Sequence, residues 1–211
     1  MHISSQNIQA MEQRYRAAFI NSLPGYKCLQ MVGTLNENGT GNLGLFNSVF
    51  HLGANPALLG MIFRPQSDNH DTLTNIKNTG YYTFNNVLPE WFEQAHQTSA
   101  RYGSGVSEFE ECGFEPLFLP DFKAPFVAQS TIKIGLELRE IIDIKINGTT
   151  LVIGEITQSM LDNEDLVAAD GYVNHIKAKT VTVTGLDAYF STNALGRLTY
   201  AKPNTLPKQI I

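Results

Sequence analysis

Three groups of residues in this chain have the types and spacing to do chemistry. The first is Arg64-Pro65-Gln66-Ser67-Asp68-Asn69-His70-Asp71-Thr72, which leads into an expected helix. The free N–H groups and dipole at a helix start attract anions. Arg64 adds a forked donor, Ser67 and Thr72 add hydroxyls, and His70 adds a further donor. A phosphate monoester suits this set, and an ordinary capped loop with a surface arginine suits it equally. The second group is Asn47-Ser48 with Asn85-Asn86, polar pairs set in or at the ends of apolar strands. Buried amides need partners. Two such pairs can border the edge of a planar heterocycle lying on apolar neighbours, or be satisfied by backbone. The third is Asp170-Gly171-Tyr172-Val173-Asn174-His175, where His175 is the histidine with most chemical promise. A lone histidine more often serves a structural hydrogen bond.

Other chemistries are missing from the pattern. The five histidines (2, 51, 70, 96, 175) show no H-E-x-x-H, and there is no G-x-S-x-G and no Walker A. Cys28 and Cys112 are far apart and form no C-x-x-C, so two buried free thiols in a reducing compartment are expected. A literal G-x-G-x-x-G stands at Gly39, Gly41 and Gly44. A dinucleotide cradle needs a helix after those glycines. Here Leu45 to Leu52 reads as a strand, and Gly53, Asn55 and Pro56 then break it. Asn38-Gly39 is a hairpin dipeptide, so these glycines read as turn and bulge residues. The acidic run Glu108, Glu110, Glu111 reads as a solvated helix face.

Composition sets the wider limits. The chain has 211 residues, 43% hydrophobic and 17% charged, which suits an ordered globular protein. Its net charge of −5, without a run of Lys or Arg, argues against nucleic-acid binding. The first residues carry no apolar core of a signal peptide, and no run is long enough to span a membrane, so a cytoplasmic protein is expected.

The elements that must position these groups follow from periodicity and turn signals. Residues 5–22 predict one amphipathic helix, with Ile8, Met11, Tyr15 and Phe19 at helical spacing. Strands are expected at 27–35, 43–51 and 57–63, a helix at 72–78 ending at Gly80, and a strand at 81–87. Residues 89–100 read as helix, 107–112 as one short helix, and 114–125 as irregular. Residues 129–146 and 149–158 form a hairpin around Asn147-Gly148. Six or more strands, several joined by hairpins, predict a mainly β (α+β) fold: an antiparallel barrel with peripheral helices.

At this point the sequence resembles the flavin reductase-like, FMN-binding split β-barrel family. The resemblance rests on Phe46-Asn47-Ser48-Val49 with Asn55-Pro56, on Arg64 with His70 to Ile76 and Gly80, and on Tyr82 to Val87. It continues through Ile134 to Leu138, Leu151 to Ile156, Gly196-Arg197-Leu198 and Tyr200-Ala201. It implies a Greek-key split barrel over residues 1–211 as one FMN-binding domain. Residues 1–25 would be an N-terminal helix, 88–125 a helical and loop insertion, and 180–211 a tail. It implies bound FMN, NADH or NADPH as electron donor, a small-molecule or flavin acceptor, and a homodimer with the flavin at its interface. It places Asn47, Ser48 and Val49 at the ring edge, Arg64, His70 and Thr72 at the phosphate, beside the Ser67 hydroxyl already singled out, and Asn85 and Asn86 beside the ring or ribityl chain. His175 and Tyr172 become candidate acid–base residues if a second subunit brings them near. A non-catalytic FMN-binding electron carrier of the same fold is the alternative. The family often has lysine at the place of His70, and Gly-Asp-His where Asn147-Gly148-Thr149-Thr150 stands here.

Overall fold

The computed structural model describes residues 1–65, 71–103 and 105–210. Ser67 and His70 therefore lie outside the described residues. The chain opens with α1 (Ser5–Ala10) and α2 (Gln13–Ser22) rather than one helix over 5–22. The cause is local. Glu12 turns its carboxylate onto the N–H groups of Arg14 and Tyr15 and caps a fresh start, as Ser4 caps α1 through a reciprocal pair with Asn7. Neither helix buries a residue, so the apolar stripe is only partly used.

Four strands follow: β1 (Gln30–Leu35), β2 (Gly41–Phe46), β3 (Val49–Ala54) and β4 (Ala57–Phe63). Gly39 adopts φ +82 in the β1–β2 turn, the left-handed conformation its hairpin position requires. No helix follows Gly44, so the glycine pattern belongs to a hairpin. The single strand expected over 43–51 is two, broken at Asn47-Ser48. Next come α3 (Asp71–Thr79), stopped by Gly80 at φ +76, and β5 (Tyr81–Asn86). A 3-10 turn at Pro89–Trp91 leads into α4 (Phe92–Gln97), and α5 (Glu108–Glu111) precedes the short pair β6 (Pro116–Leu117) and β7 (Phe126–Val127). The long hairpin expected around Asn147-Gly148 is present as β8 (Ile132–Ile144) and β9 (Thr149–Leu161), with Ile144 opposite Thr149 and Ile132 opposite Leu161. The remainder carries β10 (Thr182–Thr184), β11 (Ala188–Phe190), β12 (Arg197–Leu198) and β13 (Gln209–Ile210).

Seven strands form one antiparallel sheet in the order β2-β1-β5-β8-β9-β4-β3. Its two outermost strands, β2 and β3, are consecutive in the chain, with only Asn47 and Ser48 between them. Three Cα–Cα steps of about 3.8 Å connect Phe46 to Val49, so the edges come within about 11 Å. The sheet therefore curls until its rims approach. No ladder joins β2 to β3, and the expected barrel is not closed.

Alternation along the strands sorts two cores onto opposite faces. Val32, Phe63, Tyr82, Phe84, Leu136 and Val152 pack with Leu73 and Ile76 of α3. Leu29, Met31, Leu43, Val87, Phe109 and Val183 form the other cluster. Among the described residues no helix is long and apolar enough to cross a membrane, and no three His, Cys, Asp or Glu side chains gather as metal ligands. Both cysteines are free, but only Cys112 is buried; Cys28 is exposed, against expectation.

Candidate functional site

The break between β2 and β3 is where chemistry-bearing groups converge. Ser48 carbonyl accepts the Ile62 N–H at 3.0 Å, which ties the link to β4. Asn47, just past the end of β2, and Arg64, just past the end of β4, line one cavity of about 80 Å³ with Leu29, Leu45, Ser99 and Leu186. The structure thus joins members of two groups that the sequence kept apart.

A further residue belongs here. Lys27 Nζ donates to the carbonyl of Gly185 at 2.9 Å, and Asn47 Nδ2 donates to the same oxygen at 3.0 Å. Gly185 lies in the turn between β10 and β11, at φ +60. Burial, and then the nearby Arg64 charge, pull the Lys27 ammonium below the usual lysine range. Among the described residues, neither Lys27 nor Arg64 is paired with a carboxylate. No sequence signal marks Lys27, because its partner is 158 positions away.

The other expected residues fall elsewhere. Thr72, in the first turn of α3, is buried, and its Oγ1 accepts from Asn42 Nδ2 at 3.0 Å. Asn42 is an even-numbered residue of β2, whereas Leu45 of the cavity is odd, so Thr72 and the cavity sit on opposite faces of that strand. Val49 is buried in the core facing α3, leaving its backbone to serve any ligand. Ser48 Oγ is 3.4 Å from Asn47 Oδ1.

Asn85 and Asn86 are interior residues whose amides are taken up by the chain itself. Asn85 Nδ2 donates to Met31 carbonyl and Thr83 Oγ1, and its Oδ1 accepts from Val127 N–H. Asn86 Nδ2 donates to Thr131 and Thr180 hydroxyls, and its Oδ1 accepts from the Thr131 and Ile132 N–H groups. Both Nδ2 hydrogens of each amide are therefore engaged within the chain.

Asn86 does reach His175, through Thr180. Thr180 Oγ1 accepts from Asn86 and sits 3.0 Å from His175 Nδ1. The Thr180 hydroxyl, with one hydrogen and a second lone pair, can donate to a bare Nδ1 or accept from Nδ1–H. Burial lowers the His175 pKa from its ordinary value. Its cavity, about 120 Å³ with Pro89, Lys179, Thr180 and Ser191, shares no residue with that of Asn47. Tyr172 is engaged by Arg197, whose guanidinium lies 4.0 Å from the ring centre and is ion-paired with Asp170 at 2.6 Å.

The acidic run also departs from expectation. Glu110 and Glu111 are exposed, but Glu108 is half-buried and accepts the Leu43 N–H of edge strand β2 at 3.0 Å. Burial raises its pKa above the usual carboxylate value.

Comparison with known proteins agrees with this architecture. A provisionally assigned flavin reductase with a split barrel domain from Shewanella frigidimarina NCIMB 400 superposes with a TM-score of 0.91 at 47% identity, covering 95% of this chain and 100% of that one. The FMN-binding protein of Thermus thermophilus superposes at 0.65 with 17% identity, over 80% of this chain and 88% of that one. The NADH:FAD oxidoreductase of Streptomyces globisporus C-1027 superposes at 0.66 with 9% identity, over 92% and 98%. These last two share the fold. An uncharacterized protein of Aquifex aeolicus (strain VF5) is 26% identical over 115 residues, 54% of this chain; the match spans 59% of that relative's length. The profile of the flavin reductase like domain matches residues 29–177, more than half of the sequence, and the chain belongs to that family.

Proposed function

We propose that this protein is an FMN-binding, flavin reductase-like oxidoreductase that passes hydride or electrons from NADH or NADPH through the flavin to a small-molecule or flavin acceptor. The observation that carries the reading is the cavity at the β2–β3 break. Arg64 and the Asn47 amide line it with apolar neighbours, and the Lys27 ammonium shares the Gly185 carbonyl with that amide, with no carboxylate on either cation among the described residues. That donor set fits a phosphorylated flavin. Arg64 would hold the phosphate, with Ser67 and His70 of the sequence segment that follows it. Asn47, Ser48 and the Val49 backbone would present hydrogen-bonding groups to the ring edge. Thr72 would support the site from the other face of β2.

Bound FMN would supply the redox chemistry, and the chain's residues bind and orient it. A space of about 80 Å³ cannot enclose an isoalloxazine, so the ring must lie outside it, under another cover. A second copy of the chain is the proposed cover. Leu195 and Tyr200 of the tail, 101% and 89% exposed, are apolar surface available for such a contact. A cytoplasmic setting is part of the same reading.

The test is the absorbance spectrum of purified protein given FMN, desalted, then mixed anaerobically with NADH or NADPH. A retained flavin band that bleaches at a catalytic rate supports the reductase. Bleaching only by a reduced protein donor makes it the electron carrier. Absence of both a retained band and fluorescence quenching overturns the proposal. Arg64→Ala should weaken FMN at least about tenfold more than riboflavin, the scale of a lost charge-assisted contact.

A further inference from the structure

We propose that Lys27 and Arg64 act together as a two-cation bracket for a terminal phosphate monoester dianion, so that the site selects FMN over both FAD and riboflavin. The inference rests on the proposed flavin reading and adds to it a residue and a specificity.

The geometry comes first. Lys27 Nζ and Asn47 Nδ2 bond to one oxygen at 2.9 and 3.0 Å, so the two nitrogens are no more than 5.9 Å apart. Asn47 and Arg64 line the same cavity. The ammonium is thus held next to the amide of a residue that shares a cavity with Arg64. Gly185 uses one of its three N–H donors and leaves two.

The electrostatics point the same way. Burial and the Arg64 charge both work against the charged form of Lys27. Among the described residues neither Lys27 nor Arg64 has a carboxylate partner that would offset this repulsion. An anion that met both would remove the repulsion.

Size and charge then name the anion. A space of about 80 Å³ has room for a few waters or one tetrahedral oxyanion. A monoester carries roughly −1.5 to −2 at pH 7, matching two cations on one group. Each phosphate of FAD sits in a pyrophosphate, with one ester and one anhydride linkage, so it carries a single negative charge and a second substituent.

The experiment is a fluorescence-quenching titration of the full chain with FMN, FAD and riboflavin, using wild type, Lys27→Met and Lys27→Arg. Circular dichroism confirms that each is folded. Lys27→Met should weaken FMN by about tenfold or more while riboflavin changes less than about twofold, and Lys27→Arg should restore most of the loss. Wild-type affinity for FMN should fall as pH drops through about 6, where the phosphate takes its second proton, and Lys27→Met should flatten that fall. Equal losses for FMN and riboflavin, or wild-type FAD binding as tight as FMN, overturn the bracket. If wild type binds no flavin, the functional proposal fails, and calorimetry with inorganic phosphate at pH 8 then decides the bracket. Heat lost in Lys27→Met sustains it, and absence of heat in wild type overturns it.

Discussion

Asn47 donates from Nδ2 to the Gly185 carbonyl at 3.0 Å across 138 positions of sequence. This bond ties the break between the rims of the sheet to the β10–β11 turn, and Leu186 of that turn is a cavity wall. Asn47→Ala should loosen the turn as well as weaken the ligand. Expected are a stability loss of about 1 kcal/mol in urea unfolding and faster amide hydrogen exchange at Leu186 and Asp187. Unchanged exchange there would show that Lys27 alone holds the turn.

Glu108 offers a test of a half-buried carboxylate. Burial raises its folded pKa, so the folded state binds more protons than the unfolded chain in the acid range. Its contribution is therefore full below the ordinary carboxylate pKa and is lost as pH rises through the raised value. Glu108→Gln keeps an oxygen for the Leu43 N–H and removes the charge. The variant should match or exceed wild type in melting temperature at pH 7 and lose that advantage near pH 4. Glu108→Ala, which strands the amide, should cost about 1 kcal/mol at either pH.

His175 titrates in the opposite sense. Burial lowers its folded pKa, so the unfolded chain binds the proton more readily and stability falls as pH drops through the ordinary histidine range. Thermal melts at pH 7.5 and 5.5 should show a smaller drop for His175→Gln than for wild type. An equal drop would assign the acid sensitivity to other groups.

The long hairpin, the glycine turns and the α3 stop were legible because each is a local event: Asn147-Gly148, Gly39 and Gly80 act on their neighbours. The site was legible in half. Asn47 and Arg64 stood out by type, but the pairing that makes them a site depends on β2 and β3 becoming opposite rims of one sheet. Lys27 was invisible for the same reason. The partners of Asn85 and Asn86 were not legible, because a buried amide looks alike in sequence whatever it bonds; Met31, Val127 and Ile132 emerge only in the fold. Glu108 was misjudged because the Leu43 edge amide it covers lies 65 positions away.

Tyr82 and Gly154 form a steric pair in the core. A Cβ at Gly154 would collide with the Tyr82 hydroxyl, which is buried and has no hydrogen-bond partner among the described residues. Gly154→Ala should destabilise by more than about 2 kcal/mol, the range of overpacking. Tyr82→Phe should be neutral or stabilising by up to about 1 kcal/mol, since it removes an unsatisfied polar atom. The double variant should recover part of the Gly154→Ala loss; strict additivity in chemical denaturation would deny the contact.

The two-residue connection Asn47-Ser48 also works as a buckle on a belt. A molecule gripped there from both rims would fasten the strap as well as occupy a pocket. Occupancy should then be readable far from the ligand, as slower hydrogen exchange along β2 and β3 and a melting point that climbs with ligand concentration. At roughly a hundredfold excess over Kd the gain is about 2.7 kcal/mol. A chain cut between Asn47 and Ser48 would keep every ladder of the sheet and lose the buckle, so its grip on a ligand should fall well before its fold does.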